Sequence, residues 1–454
     1  MFFARVLRAG VLTAALIGLP SVARADSIVA ALTTAYVNSP AMMSALLSVK
    51  SAAEDVALRR AGKLPTIGLS GDTSLNYAWT ASAPGGFSMS DSTTVSLAYR
   101  HTLFDNFQTD IQIEQARAFV ELSTHALANE EQNVLLSVVQ AYMNVVRDTA
   151  LVQLRGDSVA FFEAQVSSSE ERLRIGEGTR IEVSQAQARR AQAVASYRSA
   201  IASLTTSQAS FERWVGRKPR NLVAEFPYPN LLPRSIDDAV DQALNRHPAI
   251  MSARAAIRAA QSGADLASAA FGPTLDLIGS VCAINCVGGD NIGISASVRL
   301  TLSVPIYAGG ALGASVRKAN IEQIKSEIDA LATRDQIREA VITAWSTLQN
   351  ATSQIDAAQS AVESGQLVLE GTVQERDVGQ RTTLDVLNAQ AELTSAREAL
   401  IQATSARVIA SFALISSTGR LSARDLGLNV EIRSGAAYAA KVEDIWQELR
   451  AIDE

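Results

Sequence analysis

Asp385 and Asn388 stand three residues apart at the start of a segment with helical character, and that spacing puts both side chains on one helix face. Arg381 lies just before them within the string Gly379 to Leu393, "GQRTTLDVLNAQAEL", and Arg376 stands three residues ahead of that string. Glu182 occupies the equivalent place in a near copy, "GEGTRIEVSQAQARR", from Gly176 to Arg190. Carboxylates repeated around a constriction attract cations and repel one another, so the chemistry on offer is charge selection. A plainer role stays open for Glu182 and Asp385, because a first-turn acid also complements the helix dipole.

Other reactive groupings do not form. The histidines His101, His125 and His247 are scattered, and "GEG" at Gly176 to Gly178 follows no strand, unlike a phosphate-binding loop. No nucleophile elbow, paired-carboxylate cleft or metal-ligand spacing emerges, so the expectation is no enzyme activity, no catalytic residue, no cofactor and no metal. Cys282 and Cys286 fall in one Gly-rich stretch; an oxidising compartment permits a disulfide between them, with free thiols as the alternative.

The two hairpin strings belong to a longer duplication. Gly176 and Gly379 are 203 positions apart, and the same offset matches Phe104 to Tyr307, Val138 to Val341, Tyr142 to Trp345 and Gly216 to Gly419. Ser27 to Met42 and Ser235 to Ile250 match at an offset of 208, which assigns five extra residues to the first copy, placed in an exposed loop over Ser82 to Ser92. The boundaries read as a signal peptide over 1–25, repeats over 26–216 and 235–419, a Pro-rich linker over 217–234, and a tail over 420–454 ending in a short helix. The signal reading rests on Arg5 and Arg8, an apolar run from Val11 to Leu19, and Ala23-Arg24-Ala25. Its removal takes three arginines and no acid, moving the net charge from -6 to -9 and arguing against nucleic acid as a partner.

Within each copy the period changes. Beyond Pro65, Ile67, Leu69, Leu75, Tyr77 and Trp79 alternate with Ser70, Asp72, Ser74 and Asn76, giving strands over about 66–79 and 93–104. The second copy repeats this over about 273–281 and 292–307. These lengths match the 9 to 11 residues or so that cross a bilayer at a tilt, although alternation alone fits a soluble sandwich as well. No later run approaches the roughly 18 apolar residues of a spanning helix. Prolines are absent from Gly85 to Lys218 and after Pro305, and from Gln108 to Ile175 the only glycine is Gly156. Such a stretch supports a helix of about 100 Å, returning from Ile181 to Trp214, with copies in the second half. The fold class is therefore mostly α with a β part that is either a membrane β-barrel or a soluble sandwich. Four strands cannot close in lipid, so several copies must share a barrel; two would fill it with side chains and three would leave a pore.

On "NSPAM" with "RHPAI", "TLFDNF" with "VPIYAGGA", and "VGQRTTLDVLNAQ" with its echo, the chain resembles the TolC-like family of bacterial outer-membrane efflux and type I secretion channels. The resemblance implies a homotrimer with a twelve-stranded barrel in outer-membrane lipid, continued by a periplasmic α-helical barrel. It implies closure at the hairpin turns until an inner-membrane transporter and a periplasmic adaptor dock, with Gly176 and Gly379 at the adaptor contacts. It carries Asp385 onto a ring carboxylate, Arg381 onto an arginine that locks neighbouring helices, and Glu182 onto its acidic partner. Two positions depart: Asn388 stands where a second ring aspartate is found, and Arg376 where the lock has a tyrosine. The competing reading is an exported periplasmic scaffold or adaptor without a pore. An adaptor would carry one helical hairpin flanked by compact β domains, against the duplication seen here.

Overall fold

The structure, a computed structural model, describes residues 27–79, 86–285 and 292–442. The signal segment, part of the Ser82 to Ser92 loop, Cys286 and the end of the tail helix lie outside them. Four helix starts follow from their caps. Ser27 opens α1 (Ile28–Asn38), and Ser39 opens α2 (Pro40–Ala61) with proline at its first position, where no amide is needed. Ser235 and His247 open α5 (Ile236–Arg246) and α6 (Pro248–Ala269) in the same way. Between these pairs run α3 (Gln108–Arg174) and α4 (Arg180–Val215); after them come α7 (Ala311–Asp377) and α8 (Thr383–Ser417). With 67 residues each, α3 and α7 are about 100 Å long.

The strands β1 (Thr66–Trp79), β2 (Phe87–Phe104), β3 (Thr274–Asn285) and β4 (Ile292–Ser303) form one antiparallel sheet in chain order. Two expected bounds need correction at the distal end. Residues 87–92 are strand, not loop, because β1 continues to Trp79 and supplies partners for Met89 and Asp91 at Tyr77 and Leu75. Cys282 is likewise within β3, paired with Ser96 and Ser295. At the proximal end β4 stops at Ser303 opposite Thr274, short of the expected 307, since Pro305 has no amide to offer. The two faces differ in character. One carries Ile67, Leu69, Tyr77 and Trp79 with Val298, Leu300 and Leu302, all exposed, Val298 at 81%. The other carries hydroxyl ladders, Ser70 to Ser96 at 2.7 Å, Ser74 to Ser92 at 2.9 Å and Ser280 to Ser297 at 2.9 Å.

The largest core lies at mid-height of the helices. Leu135, Val138, Val139, Tyr142 and Val145 of α3 pack with Phe211 of α4 and Val408, Phe412 and Ile415 of α8. The Pro-rich linker closes over this core: the Tyr142 hydroxyl donates to the Val223 carbonyl and accepts from its amide, both at 3.0 Å, and Phe226 stands edge-on to Phe412 at 5.3 Å. The tail straps the other side, where the Ala423 amide donates to Glu131 at 2.5 Å and the Arg433 amide to Tyr36 at 3.0 Å. Burial raises the Glu131 carboxyl above its ordinary range, although the Ala423 amide opposes this. Arg155 ties three helices, pairing with Glu398 of α8 at 2.7 Å and donating to the Ser196 carbonyl of α4 at 3.2 Å.

Contrary to the expectation from the sequence, one described helix, α8, is long and apolar enough to cross a membrane, with mean hydropathy 1.4 over 18 residues. It is a core helix, lying between α3 and α7 with Leu414 and Ile415 fully buried. Its end abuts the start of α6, which occupies the same place between α3 and α7. Gly419 makes that joint: its φ is +79°, and a Cβ there would meet the His247 Cα at 2.8 Å.

His247 caps α6, its Nδ1 accepting from the Ala249 amide at 3.2 Å, and is only 7% exposed. Burial lowers its pKa from 6.5 to about 4. The unfolded chain thus gains a proton near pH 6.5 that the folded chain refuses until about pH 4, so stability falls as pH drops through that window. The loss amounts to at most about 3 kcal/mol. His247→Asn, which keeps a capping side chain, is expected to flatten the dependence of unfolding temperature on pH between 6.5 and 4.

Candidate functional site

Both long hairpins end in the same turn. Gly176 and Gly379 take φ of +84° and +81°, a left-handed conformation that glycine adopts without strain. The next amides, Glu177 and Gln380, reach back to the carbonyls of Arg172 and Glu375, each at 2.8 Å. Each return helix then opens with a reciprocal capping box. Glu182 donates its amide to Thr179 Oγ1 at 3.2 Å and accepts from the Thr179 amide at 3.0 Å. Asp385 does the same with Thr382, at 3.3 and 2.9 Å. Both acids therefore perform the first-turn capping role.

Their surroundings differ. Asp385 is held below the usual carboxylate range, first by the Thr382 amide, then by the Thr382 hydroxyl and the nearby Arg381 charge. One carboxylate oxygen takes these bonds and the other has no partner among the described residues. Within the chain Arg381 bonds Glu375 across its own turn at 2.8 Å and does not reach Glu182. Arg376 bonds its neighbour Asp377 at 2.7 Å and spans to Gln165 of α3 at 3.0 Å.

Asn388 accepts from Arg189 of α4 at 2.8 Å. The two contacts, Arg376 to Gln165 and Arg189 to Asn388, tie the second hairpin to the first near their tips. Apolar packing backs them: Leu387 rests on Phe162, Ala186 and Ala193, while Val386, Ala389 and Leu393 rest on Leu369. Sequence reasoning missed Arg189. Its echo 203 residues on is Glu392, a reversal of charge at equivalent positions that marks where the copies diverge. The cysteines contribute nothing to this site. Cys282 is a free, half-buried thiol on the polar face of β3, and Cys286 lies outside the described residues. Among the described residues no group of three or more His, Cys, Asp or Glu side chains could hold a metal.

The duplicated hairpins, the split sheet and the matched turns have a counterpart among known proteins. The family described as outer membrane efflux protein matches residues 31–217 and 239–420. The chain belongs to that family. It is 33% identical to the outer membrane efflux protein BepC of Brucella suis, covering 95% of this chain and 93% of that one. It is similar, at 27% identity over 69% of its length, to the alkaline protease secretion protein AprF of Pseudomonas aeruginosa, of which it covers 66%. The fold matches the Campylobacter jejuni CmeC outer membrane channel with a TM-score of 0.77 at 16% identity, covering 92% of this chain and 90% of that one. A CusC structure matches at 0.76 and 19% identity, over 87% and 92%. The protein is an outer-membrane export channel whose helices extend into the periplasm.

Thr382→Ala removes one half of the second capping box and leaves the first intact. Hydrogen exchange at the Asp385 amide is expected to accelerate severalfold while the Glu182 amide stays as it was.

Proposed function

We propose that the chain assembles as a homotrimer and serves as a passive conduit, shut at the Asp385 end until an inner-membrane transporter and a periplasmic adaptor dock. The observation that carries this reading is the four-stranded sheet with one apolar face exposed and free edges on β1 and β4. Hydrocarbon tolerates neither edge, and copies joined β4 to β1 remove both. Three copies give twelve strands and a pore lined by the hydroxyl ladders. A second seam is available on α7, where Ile321, Ile324, Ile328 and Leu331 form an exposed stripe at heptad spacing. The two units, 26–216 and 235–419 joined by 217–234, each supply two strands and one long hairpin.

At the tip Asp385 contributes one carboxylate per copy, and Asn388, committed to Arg189, contributes none. Arg381 is placed to leave Glu375 for a neighbouring copy's Glu182 as the lock forms. The turns at Gly176 and Gly379 offer the adaptor two nearly identical loops. Relatives named for efflux and for protease secretion both align with this chain, which supports assigning the choice of cargo to the transporter.

Detergent-purified protein should have trimer mass and a small, cation-selective conductance in a planar bilayer. A detergent-independent monomer without conductance would return the function to a periplasmic scaffold. Asp385→Ala is expected to weaken block of the conductance by divalent cations. Because its pKa is depressed from 3.8, the carboxylate charge persists as pH falls through the ordinary carboxylate range, and wild-type block should fade only below that value.

A further inference from the structure

The polar face of the sheet is not uniformly neutral. Arg100 of β2 and Arg299 of β4 share one row, Thr66, Arg100, Ile278, Arg299, four residues from the proximal ends of their strands. Neighbouring strands lie about 4.8 Å apart, so the two arginines are about 10 Å apart across β3. Asp276 of β3 is the nearest countercharge on this face. It accepts from the Thr102 hydroxyl at 2.7 Å and stands 3.8 Å from the Arg100 guanidinium, with its side chain 17% exposed. Arg299 is exposed and has no hydrogen bond or ion pair among the described residues. The other acid of this face on a described strand, Asp72, lies six residues farther along, about 20 Å away. Per copy, the base of the polar face therefore carries a net positive charge.

We infer that Arg100 and Arg299 form a cationic belt at the periplasmic base of the barrel lumen that engages polyvalent anions, including anionic groups on cargo. The inference rests on the conduit reading, which turns the polar face inward. Arginines on the second and fourth strands of each copy fall on every second strand of the closed barrel, whatever the register at the seams. Three copies supply six. A spacing of about 10 Å equals the Debye length at 0.1 M salt, so neighbouring fields overlap there and separate at 1 M, where it is about 3 Å. The belt is thus opposite in sign to the acidic ring at the far end of the tube. Cargo meets a cation-attracting constriction first and an anion-attracting one last.

The test is block of single-channel current by inorganic tripolyphosphate, added on the barrel side of a bilayer holding the assembled protein. In 0.1 M KCl the wild type is expected to be blocked, and 1 M KCl to relieve the block. Arg100→Ser with Arg299→Ser should weaken apparent affinity roughly tenfold. Asp276→Asn keeps an acceptor for Thr102 while removing the countercharge, so it should tighten the block; it also tests the belt if the double variant does not reach the membrane. Unchanged block in a conducting double variant, or weaker block in Asp276→Asn, would overturn the belt and leave the conduit intact. A wild type that does not conduct would remove the conduit reading, and the belt with it.

Discussion

Hydrocarbon provides no partner for a backbone amide, and the rest of this architecture follows from that. Two strands per repeat are too few to satisfy themselves, so the repeat is doubled, and the doubled sheet still leaves β1 and β4 with open edges. Neighbouring copies must complete the ladder. Once the edges are joined, sorting of side chains becomes forced: the face with Ile67, Leu69, Val298 and Leu300 meets lipid, and the serine ladders enclose water. The free-standing chain is therefore an incomplete object, with its hydrophobic payload split between a mid-helix core and a sheet surface that only lipid and neighbours can cover.

Away from the membrane the chain solves one local problem twice. Both hairpins reverse through a left-handed glycine and restart with a threonine and an acid in a capping box, at nearly the same bond lengths. This equivalence separates what a residue does for the helix from what it does for the pore. Glu182 and Asp385 are equal as caps, so any difference between them in function must come from surroundings: Arg381 beside one carboxylate, and Arg189 against Asn388. The opposite charges at positions 189 and 392 are one place where the duplicated halves differ.

Much of this was legible in the chain itself because the signals are local. Period-two alternation marked where β1 begins, just beyond Pro65, and the absence of proline over long stretches pointed to α3 and α7. The failures occur where a residue's fate depends on a distant partner. The serine and aspartate run before Thr93 has turn composition, yet it is strand because β1 is long enough to pair with it. Cys282, in a Gly-rich stretch just past the expected strand end at 281, is strand for the same reason. Arg189 carries no local mark of its role; only the packing of α4 against α8 brings it to Asn388. The apolar character of α8 was diluted along the sequence by alanines and serines that suit close helix packing.

The joint at Gly419 and His247 has a mechanical consequence. At that level α8 gives way to α6, and on the other flank of α3 the helix α4 gives way to α2, while α3 and α7 run through unbroken. The wall is therefore a set of staves, some continuous and some jointed, with the two joints at matching positions of the two repeats. A twist applied at the periplasmic tips reaches the membrane only along the two continuous staves of each copy. The jointed staves pass load only through the side-chain contacts at their butt ends, so α3 and α7 are the elements that couple the tips to the barrel.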